Sequence, residues 1–269
     1  MKFDLRRQIR VIFSRVRQFS CRIKVIGVNL GSGKPWAGLP FWYAYDAEEG
    51  ELFTGETELP FSENSVELLF SSHFIEHLNI GEAEHLLKEA FRILKPGGKF
   101  RIICPDIELL ANAVFRGENT PILNRPSGWG SSELALNAEN IFLHFACHYE
   151  LYSEGEGSSV VFRGPPRLDD VEARRIAELP VSEIWSSVEK HVPELGKNSI
   201  QHRSCWSSDI LKKAAVSAGF QFERSGYGLA RSKTWQFFDF THGRREISLY
   251  AELSKPTSME PAERVFPRF

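Results

Sequence analysis

The chain predicts an α/β fold, a doubly wound Rossmann-like, mostly parallel sheet with a largely helical insertion or lid. Short β-rich runs alternate with helical patterns over about residues 24–110, which calls for parallel strands joined by crossover helices. One of those patterns is strongly amphipathic: Ala83, Leu86, Leu87, Ala90, Phe91 and Leu94 recur at helical spacing. An irregular stretch then separates this half from a closing helix and two strands. At 269 residues the chain suits one domain with an insertion.

The elements follow in order. Residues 1–23 place Phe3, Leu5, Ile9, Ile12, Phe13, Val16 and Phe19 near helical spacing, with Arg6, Arg7, Arg10, Arg15 and Arg17 between them. This is a basic amphipathic helix that either packs on its own domain or makes a peripheral contact with an anionic membrane through residues 1–22. Its charges exclude a secretory signal, and no apolar run reaches the ~18–20 residues of a membrane span. The domain itself covers residues 24–255. Lys24–Leu30 reads as a buried strand, Gly31-Ser32-Gly33 as a turn, and Phe41–Tyr45 as a second strand ending at Asp46. Glu51–Thr54 is a short third strand and Val66–Ser71 a fourth. Lys95-Pro96-Gly97-Gly98 closes the amphipathic helix, and Lys99–Cys104 is the next strand, stopped by Pro105. A helix over 107–114 precedes the insertion, about 117–200, with helical stretches near 132–148 and 169–190. Ser207–Ala218 is a helix capped by Gly219, Phe220–Glu223 and Ile247–Glu252 are strands, and 256–269 form a tail.

Composition narrows the function classes. Thirty-three basic against thirty-five acidic residues give a net charge of −2, so no basic field invites nucleic acid. Cys21, Cys104, Cys147 and Cys205 form no CxxC pair, which predicts reduced thiols in a cytoplasmic protein and no zinc knuckle.

The turn Asn29-Leu30-Gly31-Ser32-Gly33 follows a strand, where glycines let the backbone approach a ligand. It lacks the third glycine and the lysine of dinucleotide and P-loop signatures, so a nicotinamide enzyme is poorly supported. Asp46, with Ala47 beside it, ends the second strand, where a carboxylate accepts hydrogen bonds from ribose hydroxyls. His73 is the first titratable residue after the fourth strand, at the sheet edge where such folds place their chemistry, and is the candidate general base. His73 and His77 flank Glu76 four residues apart, but without HExxH order, and no metal is expected from them. His144 and His148 pair on a helix in the insertion. His144 and His202 are the alternative bases. Trp36, Trp129 and Trp206 are candidates for stacking on a sugar or ring.

The run LPFSENSVELLFSSHFIEHL followed by EAFRILKPGGKFRI resembles the class I S-adenosylmethionine-dependent methyltransferases, methyltransferase domain 11 type. The closing pattern His202-Arg203, Trp206, AGF, Arg244 and SLYAE resembles a bacterial subgroup found among cell-surface polysaccharide functions. The resemblance covers about 24–110 and 200–255, not the middle. It implies S-adenosylmethionine as cofactor. Gly31, Ser32 and Gly33, opened by Asn29, would cradle its methionine part, Asp46 its ribose, and Glu56 and Thr57 its adenine. Ser71, Ser72 and His73 would line the pocket below the sulfonium, while Glu76 and His77 make structural hydrogen bonds. The adenine-side aspartate of many relatives is here Gly55, with Glu56 adjacent. The expected reaction is methyl transfer to an oxygen or nitrogen of a small molecule or saccharide, a cell-surface polysaccharide precursor among them, the middle zone choosing the acceptor. The competing reading is a non-catalytic methyltransferase-like binding module.

Overall fold

In a computed structural model that describes residues 27–31, 42–45, 53–117, 168–191, 202–230 and 247–257, six segments become strands of one sheet. They are Gly27–Leu30 (β1), Trp42–Tyr45 (β2), Val66–Ser72 (β3), Leu94–Pro105 (β4), Gln221–Ser225 (β5) and Ser248–Ser254 (β6). Their order is β2-β1-β3-β4-β6-β5. β1 to β4 pair in parallel, and β6 runs antiparallel to both β4 and β5. The near-continuous burial of β1, all four residues, and of β3 from Leu69 to Ser72 is what a parallel strand covered on both faces requires. The sheet is therefore mixed and mostly parallel, as the alternating pattern predicts.

Register decides what the sheet can do. Leu30 pairs with Tyr45 and with Ser71, Ser72 with Ile103, and Pro105 with Ser248. One edge thus collects Gly31, the end of β2 at Tyr45, Ser71 to His73, Asp106 and the start of β6. These are the carboxyl ends of the parallel strands, where open α/β sheets bind ligands.

Five α-helices accompany the sheet among the described residues: Ile80–Ile93 (α1), Ile107–Arg116 (α2), Asp170–Ala177 (α3), Val181–Glu189 (α4) and Ser208–Ser217 (α5). Asn79 begins α1 with a reciprocal capping box: its side chain accepts from the Glu82 N–H, while the Glu82 carboxylate accepts from the Asn79 N–H. Leu86, Leu87, Ala90 and Ile93 of α1 and Leu211 and Ala215 of α5 pack with Leu69, Phe100, Ile102 and Leu253 in the main core. α2, α3 and α4 share a smaller core of their own, through Leu110, Val114, Ile176 and Ile184. The opposite sheet face carries Phe70, Ile103 and Tyr250. It also buries an ion pair, Arg101 to Glu252 at 3.4 Å, with the guanidinium also donating to the Gly226 carbonyl at 3.0 Å.

The structure departs from several sequence expectations. Phe53 and Thr54 are not strand, because the Thr54 N–H donates to the Thr57 hydroxyl at 2.8 Å and closes a turn. The helix expected over 169–190 is two, α3 and α4, broken at Pro180, which has no N–H to continue the ladder. Lys95 to Gly98 loop out inside β4 rather than preceding it, with a register shift opposite Val66 to Leu68. The basic helix over 1–23, the first part of the insertion and the last dozen residues lie outside the described residues.

Candidate active site

At the end of β3 the chain turns sharply: His73 sits at φ +51, a left-handed conformation uncommon for a side-chain-bearing residue. Its N–H donates to the Ile103 carbonyl at 2.8 Å, which ties the turn to β4. The backbone so placed aims the imidazole inward, with only 5% of the side chain exposed. Its Nε2 lies 3.0 Å from Ser248 Oγ on β6. Its Nδ1 lies 3.2 Å from Glu76 Oε1. Serine hydroxyl, imidazole and carboxylate therefore neighbour one another at the sheet edge, the ring hydrogen-bonded to the hydroxyl and standing within ion-pair distance of the acid.

Ser248 also reaches outward. With Arg224, Ser225, Tyr227 and Tyr250 it lines an open cavity of about 360 Å³ at the β5 and β6 end of the same edge. Arg224 approaches Asp106 at 3.5 Å, and burial pushes the Asp106 carboxyl above its ordinary value. Asp106 is held in turn as the N-cap of α2, accepting from the Glu108 and Leu109 N–H groups.

Glu76 is 1% exposed, in a short 3₁₀ turn over Ile75–His77. Its backbone carbonyl accepts from the Arg203 and Ser204 N–H groups at 2.8 and 3.2 Å. This fastens the segment before α5 to the post-β3 turn. His202 arrives with it, 5% exposed, its Nε2 4.0 Å from Glu76 Oε1 and its ring edge-on to His77 at 4.9 Å between centroids. The structure thus joins two of the three predicted bases, His73 and His202, around one carboxylate.

On the cofactor side, Asn29 is buried within β1, and Gly31 takes φ +68 while its N–H donates to the Tyr45 carbonyl at 2.8 Å. A side chain at Gly31 is excluded by Phe74, whose Cβ and ring carbons lie 2.6 Å from where a Cβ would stand. Its own chain's packing thus already demands glycine at this position. Ser71 and Ser72 keep buried hydroxyls with no hydrogen-bond partner among the described residues. Buried orphan hydroxyls cost free energy unless a ligand or water satisfies them, so this edge suits a polar guest. Glu56 is exposed. The Thr57 hydroxyl accepts from the Thr54 N–H, and the Thr57 carbonyl lies 2.9 Å from His85 Nε2. Trp206 is no stacking platform: it is 1% exposed, in the core, with Nε1 donating to Ser204 Oγ. Cys104 and Cys205 are free thiols whose burial pushes their ionisation up, that of Cys205 to about 12, so neither serves as a nucleophile. Ser32, Gly33, Asp46, Ala47, His144, His148, Trp36 and Trp129 lie outside the described residues.

Sequence reasoning missed Ser248 as a partner of His73. A lone serine opening a strand carries no local signal, and the two are brought together only by the pairing of β4 with β6.

Residues 45–102 match the family model described as a methyltransferase domain. That stretch holds β3, the post-β3 turn, α1 and most of β4. The match falls on the motifs LPFSENSVELL and EAFRILKPGGKF, so over that stretch the chain is similar to methyltransferases, as those motifs predict. Among solved structures it is similar to an S-adenosylmethionine-dependent methyltransferase from Mesorhizobium loti, at 16% identity and TM-score 0.40, over 90% of this chain and 97% of that one. It is similar also to a possible histamine N-methyltransferase from Thermotoga maritima, at 12% and TM-score 0.37, over 93% and 97%. An S-adenosylmethionine-dependent methyltransferase from Aquifex aeolicus gives 12% and TM-score 0.36, over 94% and 99%. No curated protein matches the chain. No helix among the described residues is long and apolar enough to cross a membrane.

Proposed function

We propose that the protein is an S-adenosylmethionine-dependent methyltransferase that modifies a hydroxyl or amine of a small molecule or saccharide, and that the acceptor's proton leaves through Ser248 to His73. The observation that carries this is the double engagement of Ser248, which faces the cavity and lies 3.0 Å from the buried His73 Nε2. S-adenosylmethionine, when bound, supplies an already activated methyl group. The protein's remaining tasks are alignment, exclusion of water and, for a hydroxyl acceptor, proton removal. His73 takes the proton, and the Glu76 carboxylate, 3.2 Å from its Nδ1, stabilises the imidazolium that forms. Arg224 and Tyr227 at the cavity rim and the insertion supply acceptor contacts, with His144 as the alternative base.

For the cofactor, Asn29, Gly31, Ser32 and Gly33 form the methionine-side turn, Asp46 and Ala47 the ribose side, and Glu56 and Thr57 the adenine side. Ser71, Ser72 and His73 sit toward the reacting centre. The unsatisfied Ser71 and Ser72 hydroxyls support this reading. The arginine-rich segment over 1–22 adds peripheral attachment to an anionic membrane, where lipid-linked saccharides reside. Nucleic acid is not a partner in this reading, given the net charge of −2.

A panel of hydroxyl and amine acceptors with methyl-labelled cofactor tests the proposal. Methylated saccharide or small-molecule product is expected, with Ser248→Ala and His73→Gln both slowed while S-adenosylhomocysteine still binds. Asp46→Ala should weaken that binding about ten- to a hundred-fold, the worth of a charge-assisted hydrogen bond. Full turnover by Ser248→Ala would remove the relay.

A further inference from the structure

The cluster at Glu76 contains more ligating groups than a proton relay needs. Glu76, His77 and His202 each present a ligand atom, and these atoms all lie within 4.8 Å of one another. Glu76 and His202 are 1% and 5% exposed. From these residues we infer that the chain holds a divalent transition-metal ion, of the zinc class, between the turn after β3 and the segment before α5.

Two imidazoles and one carboxylate form a donor set suited to zinc. In a tetrahedral site with metal–ligand distances of about 2.0–2.2 Å, neighbouring ligand atoms stand about 3.3 Å apart. The His202 Nε2 to Glu76 Oε1 separation is 4.0 Å, so side-chain rotation of less than an ångström or so per ligand closes the set. The backbone already supports it. The Arg203 and Ser204 N–H groups hold the Glu76 carbonyl, which fixes where His202 enters. A third imidazole stands beside the same carboxylate, with His73 Nδ1 3.2 Å from Glu76 Oε1. Charge favours the same conclusion, since a carboxylate removed from water among imidazoles gains from a cation at the centre. Three protein ligands leave a fourth position for water or another donor. The ion's role is to staple two chain segments distant in sequence and so to hold His73 in its left-handed turn. This assignment stands apart from the acceptor, and it survives even if no proton passes through Ser248.

The test uses the full chain, stripped with a chelator and titrated with zinc and, separately, with cobalt(II). One equivalent of zinc per chain is expected, with a rise in melting temperature, and the cobalt form should show the visible absorption of a four- or five-coordinate site. His202→Ala and His77→Ala should each lower zinc affinity at least about a hundred-fold, since loss of outer-shell partners alone costs 10–100-fold. His191→Ala, whose ring lies beside Glu172 away from the cluster, should leave it unchanged. Because His77 is only half-buried, its variant keeps the test valid if His202→Ala fails to fold. A wild-type chain that takes up no equivalent of metal, or a His77→Ala chain that binds zinc as tightly as wild type, overturns the assignment.

Discussion

Glu76 and Glu89 are both buried carboxylates on the same stretch of chain, and they are held in opposite ways. Glu89, on α1, faces a guanidinium: Arg92 Nε and Nη2 donate to its two oxygens at 2.7 Å each, and the Leu59 N–H adds a third bond at 2.8 Å. Arg92 also donates to the Leu59 and Phe61 carbonyls, so the pair clamps the LPF loop onto the helix. Glu76 faces imidazoles instead. A permanent cation makes a clamp that holds at any ordinary pH; imidazoles can gain or lose a proton, accept one from a substrate, or ligate a metal. The first region is built to stay, the second to act.

The largest expected effect separates them. His73→Gln should cost about 10²–10⁴-fold in kcat if the ring is the base, with little change in S-adenosylhomocysteine affinity or melting temperature. Arg92→Ala should do the reverse, leaving kcat of the folded enzyme near wild type. Comparable losses of turnover in both variants would erase the distinction between a working carboxylate and a clamping one.

The next effect concerns packing around the acting region. Gly31→Val should destabilise by about 2–4 kcal/mol, combining left-handed strain with overpacking. The cause is Phe74, next to His73 in the chain and 2.6 Å from where a Cβ on residue 31 would stand. Gly31→Val combined with Phe74→Ala should recover part of the stability in a urea melt. No recovery in the double variant would return the glycine to a ligand-clearance role.

These contrasts also explain what was legible in the residues alone. The apolar spacing of Ala83 to Leu94 announced α1, and the runs VELLF and KFRIIC announced β3 and β4, because local pattern suffices where one face or both are buried. His73 was locatable as the first titratable group past β3. Its partners were not. Ser248 lies 175 residues away, and His202 reaches Glu76 only because two backbone N–H groups bond the Glu76 carbonyl. Trp206 read as a loop aromatic, but a bridge from its backbone to Asp106 draws it into the core. Pairings across so much chain leave no periodic trace.

A smaller effect tests the clamp directly. Arg92→Ala strands a buried carboxylate and two loop carbonyls, and should lower stability by about 1–3 kcal/mol, read as a shift of the urea midpoint with the slope unchanged. An unchanged midpoint would mean that the loop is held by the packing of Leu59 and Phe61 alone.

The smallest effect is the pH dependence of the same clamp. The hydrogen bonds from Arg92 hold the Glu89 carboxyl below its ordinary value, outweighing the opposing effect of burial, and the Leu59 N–H adds to the lowering. A carboxylate whose folded value is depressed binds its proton more readily in the unfolded chain. Its contribution is therefore fully present above the unfolded value, near 4.3, and is lost as pH falls through that value and then through the folded one. Glu89→Gln removes the titrating group while keeping nearly the same shape. The stability gap between wild type and Glu89→Gln should thus be widest near neutral pH and shrink as pH drops from about 6 to about 3, with the two urea midpoints converging at the acid end. Arg92 stays charged throughout this window, so the narrowing belongs to Glu89. A gap that is constant across the range would mean that Glu89 ionises alike in the folded and unfolded chain, and that the clamp works through shape and neutral hydrogen bonds rather than charge.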